Sequence, residues 1–174
     1  QVLTNKPDET QEGWAKATVG NYDKLQLEGV YNLPLADNLF LRAGVLSNER
    51  DGYIHDPGAG PDRNDEDHWS VSSALRWLPA DDLDMIFRLE YDDVDQTSRA
   101  DSSATVGLRD EGANFDEVEN DGNTIETREL FGSSATVVWD LDAATMTSIT
   151  AWRTYHSYNR RDKDGSAIRR YFFD

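Results

Sequence analysis

Arg42, Arg76 and Arg88 each fall on the polar side of a stretch in which apolar and polar residues alternate. A guanidinium presents a planar fork of donors that matches a carboxylate. Arginines so placed can grip an acidic chain segment or an anionic ligand. Counting residues back from the intervening turns puts Arg42 nearly opposite Arg76. That approach of like charges needs acids close by, and Asp84 and Glu90 are on the same side. Tyr53 and His55 form a second group, beside Asp51 and Asp56 in a stretch without alternation. Arg42, Arg76, Arg88, Glu90, Tyr53 and His55 are the candidate contact residues.

Other chemistry is sparse. The span Asp92 to Glu126 holds eleven acids against only Arg99 and Arg109. Within it Asp116, Glu117, Glu119 and Asp121 could gather around Ca²⁺, which takes oxygen ligands. No EF-hand spacing is present, a solvated loop accounts for the same acids, and no metal site is assigned. His55, His68 and His156 lie far apart and lack metal-ligand spacing. With 0 cysteines, disulfides, zinc–thiolate sites and Cys nucleophiles are excluded. No G-x-S-x-G elbow, phosphate-binding loop or H-E-x-x-H helix occurs. Neither enzymatic activity nor a cofactor is expected. A net charge of -17 argues against nucleic acid and anionic lipid surfaces.

The elements that must carry these residues have a period of two. In the segment from Leu83 to Asp92, Leu83, Met85, Phe87, Leu89 and Tyr91 share one side. Asp84, Arg88, Glu90 and Asp92 take the other, the mark of a strand with one apolar face. The same rhythm runs through Leu25–Leu33, Leu39–Ser47, Trp69–Leu78 and Phe131–Leu141. Trp14–Tyr22 and Thr145–Tyr158 also read as strands, but their facing stays open: Trp14 and Lys16 share a side, and Ile149 and Ala151 oppose Met146 and Trp152. Tight turns are expected at Pro34–Asn38, Pro79–Asp82 and Asp142–Ala144. The opposite ends carry long acidic connections, at about 48–67 and 93–127.

Aromatic residues bracket the apolar side. Tyr31, Trp77 and Trp139 lie at the short-turn end; Trp69, Tyr91 and Phe131 lie at the long-loop end. Two aromatic rows around an aliphatic band match the girdles of an outer-membrane barrel, whose strands need roughly 9–11 residues. The polar side would then face a wet lumen. Seven antiparallel strands leave two bare edges, which lipid does not tolerate. The expectation is an all-β antiparallel meander of about seven strands forming part of a larger barrel. The chain starts at Gln1 and is expected to be a processed or cut piece lacking strands beyond Asp174.

The order of several short motifs resembles TonB-dependent outer-membrane receptors of the siderophore-receptor type. Val2-Leu3-Thr4-Asn5-Lys6-Pro7 resembles the segment that closes the family's plug and leads into its barrel. Gly13 to Tyr22 is similar to the first barrel hairpin, and Tyr31-Asn32-Leu33-Pro34-Leu35-Ala36-Asp37 to the first periplasmic turn. Arg50-Asp51-Gly52-Tyr53-Ile54 resembles the opening of the next outer loop. Asn64 to Pro79 and Leu141 to Arg153 continue the likeness. The resemblance implies a 22-stranded transmembrane barrel around a plug. Residues 1–12 would end the plug or connect it to the barrel, and 13–174 would supply the first strands. It further implies the bacterial outer membrane, contacts with lipid, the plug and the remaining strands, and TonB acting through a missing N-terminus. The implied function is active import of a scarce nutrient, a ferric siderophore being the leading candidate. The alternatives are a passive outer-membrane porin and a soluble calcium-binding β adhesion module.

Overall fold

A computed structural model describes residues 5–56, 60–99, 124–162 and 172–173. The strands are β1 (Glu12–Val19), β2 (Leu25–Ala36), β3 (Leu39–Arg50), β4 (Glu66–Ala80), β5 (Leu83–Gln96), β6 (Ile125–Leu141) and β7 (Ala144–Asp162), with a two-residue β8 (Phe172–Phe173). They form one antiparallel meander in sequence order. The sheet is open: β1 and the short β8 are its edges, and no helix occurs among the described residues.

The strands overrun the bounds that alternation alone suggests. β2 continues through Pro34 and β4 through Pro79, so the tight connections shrink to Asp37-Asn38, Asp81-Asp82 and Asp142-Ala143. Register shifts at Pro34/Ala36 and Trp77/Ala80 accommodate this. A proline has no N–H for the ladder, and a bulge removes the need for one. At the other end β3 and β4 pair out to Arg50 and Glu66, and β5 and β6 out to Gln96 and Glu126. The expected loops at 48–67 and 93–127 therefore contract to 51–65 and 97–124.

Cross-strand register fixes both faces. Leu27, Tyr31, Leu41, Val71, Trp77, Met85, Leu89, Val137 and Trp139 all lie on one. Trp139 pairs with Met146 and Ser133 with Trp152, so Met146 and Trp152 belong to this apolar face, and Ile149 and Ala151 to the polar one. In β1, Trp14 and Lys16 pair with Val30 and Glu28 and join the polar face. The two facings left open by sequence are thus settled by pairing.

Burial is inverted relative to a two-layer protein. Leu89 is 52% exposed and Val45 56%, while the buried apolar side chains Phe40 (4%), Ile86 (2%) and Val94 (2%) sit on the polar face. Aromatic residues line the apolar face: the Trp69 and Tyr91 rings lie 5.1 Å apart and those of Phe131 and Trp152 5.6 Å apart. Trp139 Nε1 donates to Asp82 at 2.9 Å and the Tyr31 hydroxyl accepts from Gln11 at 2.6 Å. Polar tips therefore bond at the short-turn end while the rings cover apolar surface.

The hairpins are staggered in one sense. Leu39 pairs with Trp77, three residues before β4 ends, and Leu83 with Trp139, two residues before β6 ends. Such an offset tilts strands relative to the line of turns.

Candidate functional site

The polar face carries an N-terminal segment laid over its short-turn end. Pro7 is fully buried and its carbonyl accepts from Arg76 Nη1 at 3.3 Å. Asn32, 0% exposed, shares its two Nδ2 hydrogens among the Asp8 carbonyl (3.0 Å), Asp8 Oδ1 (3.1 Å) and the Thr10 carbonyl (2.6 Å). Lys6 Nζ reaches Asp84 at 3.4 Å. Phe40 and Ile86 flank Arg76 in register, in the same part of the face. The carbonyls of an irregular segment need donors when buried, and Asn32 and Arg76 supply them. Val2 to Thr4, the start of the plug-like motif, lie outside the described residues.

The arginines are brought together, with a correction to their pairing. Arg42 stands opposite Ala74, and Phe40 stands opposite Arg76, because β3 and β4 are staggered: Leu39 pairs with Trp77 rather than with the last residue of β4. Ala74 in turn pairs with Arg88, which places Arg42 and Arg88 on one register line with a small residue between. Arg76 binds Asp84 through both branches of its fork, Nε to Oδ1 and Nη2 to Oδ2, each at 3.0 Å. Arg42 approaches Glu12 at 3.9 Å. Glu90 pairs with Arg153 two strands away, on β7. Gly132 on β6 stands between them in register, and a Cβ there would come within 2.3 Å of the Glu90 carboxylate. The glycine is the gap through which Glu90 crosses the intervening strand.

Tyr53 and His55 belong to a separate cluster at the long-connection end. The Arg50 guanidinium lies 4.9 Å from the Tyr53 ring centroid, and the Tyr53 hydroxyl accepts from Asn64 at 3.1 Å. His55 Nδ1 contacts Asp62 at 2.9 Å on the exposed side of the loop. A bridge between Ile54 and Arg63 folds the loop on itself. Arg63, 1% exposed, pairs with Asp56 at 2.9 Å and bonds the Thr124 hydroxyl, tying this loop to the residue preceding β6. A cavity of about 470 Å³ opens here between Arg50, Tyr53, Glu66, Arg99 and Glu126.

Glu66 is a charge anchor of this end, three residues beyond Trp69. Hydrogen bonds from Lys24 (2.8 Å) and Asn48 (2.8 Å), with the Arg50 charge at 3.1 Å, push its carboxyl down to about 2 from an ordinary 4.5, against the opposing effect of burial.

Of the six candidate contact residues, Arg42, Arg76, Arg88 and Glu90 share the polar face, while Tyr53 and His55 sit apart from them in the loop. Sequence reading missed Asn32, Gly132, Arg153, and the buried pair Asp56–Arg63. An asparagine and a glycine inside strand patterns were the available signals, since both residues are depleted in strands. Among the described residues no three His, Asp or Glu side chains converge as metal ligands, and the four acids from Asp116 to Asp121 lie outside those residues. No helix is long and apolar enough to cross a membrane, which bears only on helices. Neither a protein-family model, a curated protein nor a solved structure matches the chain.

Two outcomes are expected of this geometry. Asn32→Ala leaves the Asp8 and Thr10 carbonyls without their donor and should lower stability by ~1–3 kcal/mol, measured by denaturant unfolding in detergent; it should also open the Glu9–Thr10 bond to a glutamate-specific protease. Because the Glu66 pKa is lower folded than unfolded, its contribution is present above about pH 4.5 and is lost as pH falls towards about 2. Thermal melting should therefore drop more steeply over that window in the wild type than in Glu66→Gln.

Proposed function

We propose that the chain supplies the first transmembrane strands of a TonB-dependent outer-membrane importer, with its N-terminal segment tying a plug to the barrel wall. The observation that carries this reading is the inverted burial. Large apolar side chains stand bare on one face, bracketed by aromatic rings, while charges, an Asn-held segment and the few buried apolar residues occupy the other. Lipid suits the first face, and an enclosed wet lumen suits the second.

On this reading the open edges of the seven-strand sheet are closed by further strands of a 22-stranded barrel in the bacterial outer membrane. The short turns face the periplasm, and the connections at 51–65 and 97–124 face outward. Pro7, Asn32 and Arg76 hold the end of the plug against the wall, so a pull transmitted by TonB rearranges the plug upstream of a fixed point. The cargo is a scarce nutrient, a ferric siderophore before others. A porin would not need an anchored segment on its inner face.

Two experiments bear on this. Leu89→Arg should impair insertion, since a lipid-facing arginine near a girdle costs about 2 kcal/mol; Arg88→Leu, on the opposite face, should insert normally, with weakened uptake. Heat-modifiability on gels reports folding, and equal defects would mean that the faces are wrongly assigned. Deleting the gene in an iron-starved host should abolish accumulation of labelled ferric siderophore, as should disabling TonB. TonB-independent entry of small solutes would indicate a porin, and recovery without detergent a soluble module.

A further inference from the structure

Arg42, Arg50, Arg76, Arg128 and Arg153 on the polar face each meet a carboxylate. Arg88, half-buried near mid-sheet, has neither an ion pair nor a hydrogen bond among the described residues. Its natural partner is Glu90, two residues along the same strand and on the same face. Glu90 is instead drawn across Gly132 to Arg153, and the absent Cβ at position 132 is what permits the detour. The residues beside Arg88 in register are Ala74 and Ser134, which leave space around the guanidinium. Two cavities, of about 370 Å³ and about 470 Å³, both have Arg88 and Glu90 in their walls. The first also reaches Asn5 of the laid-over segment and the Trp14 ring. These volumes fall in the range of small-ligand sites.

We propose that Arg88 is the charged centre of a binding site for a single carboxylate borne on an otherwise uncharged, partly apolar body. The inference deepens the polar-face reading given above but does not depend on transport. In a chain of net charge -17, an arginine left unpaired on a face where the others are matched is an exception that an anion would satisfy. One guanidinium matches one planar carboxylate through two parallel bonds. A dianion such as phosphate would be under-neutralised and would meet Glu90 at close range. Arg42, on the same register line, adds longer-range attraction while held near Glu12. The apolar body would lie towards Trp14 and Val30. The carboxylate can come from a free small molecule or from a side chain of the protein itself folded onto this face.

The test titrates the protein as extracted from its host in detergent with benzoate and with uncharged benzyl alcohol, following the Ser134 and Gly132 amide signals by NMR. Benzoate should shift both saturably and benzyl alcohol should not. Arg88→Met should weaken benzoate at least tenfold with the β-sheet circular dichroism unchanged. Gly132→Ala, which leaves Arg88 in place but pushes Glu90 off its path, should weaken benzoate as well by turning Glu90 towards Arg88. The Arg88 Nε–H signal separates the sources: a shift that appears only on adding benzoate assigns the site to a free ligand, and an ion-pair shift already present without benzoate assigns it to a carboxylate of the protein itself. Equal shifts from benzyl alcohol, or an Arg88→Met variant that binds benzoate as the wild type does, would overturn the proposal. If the chain binds benzoate but fails to enter lipid, the membrane reading fails and this site stands.

Discussion

An apolar sheet face that nothing among the described residues covers is the constraint on which the rest of the structure depends. Leaving apolar area in water costs roughly 25 cal/mol per Å², and a soluble β protein avoids that cost with a second layer. Here the meander is a single layer, and Leu27, Val45, Val71 and Leu89 project from it without partners. Lipid resolves the conflict without a second layer, provided that every backbone donor and acceptor is paired along the strands and that the edges are closed. The interior ladder meets the first condition over long strands, with β6 and β7 pairing from Ile125–Arg160 to Leu141–Ala144. The stagger of successive hairpins is also the geometry by which strands tilt in a closed barrel.

The opposite face follows the reverse logic. Its charges are mostly matched in pairs, its few large apolar residues are the buried ones, and an irregular segment crosses it on hydrogen bonds from Asn32 and Arg76. Exposed to water, such pairs contribute little individually, but they hold the segment and the arginines in fixed places. Gly132 shows how local that control is. One absent Cβ sends Glu90 to Arg153 and leaves Arg88 free to meet another anion.

Much of this was legible in the sequence, and the exceptions have physical causes. Period-two alternation located all seven long strands and the facing of five, because one buried-or-lipid face imposes a strict apolar row. It left β1 and β7 open, since Trp14, Ile149 and Tyr155 put large apolar groups on the polar face, and only pairing with β2 and β6 resolves them. The opposition of Arg42 to Arg76 was misplaced by two residues, because counting back from the turns assumes strand ends that lie level, whereas Leu39 pairs with Trp77, three residues before β4 ends. Strand ends were read short wherever acids replaced apolar residues, as at Glu66 and Asp93, although the ladder continues through them. The Glu90–Arg153 pair spans 63 residues and depends on register across two strands, so no local signal pointed to it.

The most direct measurement is a spin-label scan along β4 and β5 in a reconstituted outer membrane, comparing collisions with oxygen, which concentrates in lipid, and with a water-soluble nickel chelate. Labels at Val71, Leu75, Phe87 and Leu89 should favour oxygen, and labels at Ser70, Ser72, Arg88 and Glu90 should favour the chelate, alternating residue by residue. A flat profile, or one in which both sets are shielded from both probes, would contradict a sheet that stands between lipid and water.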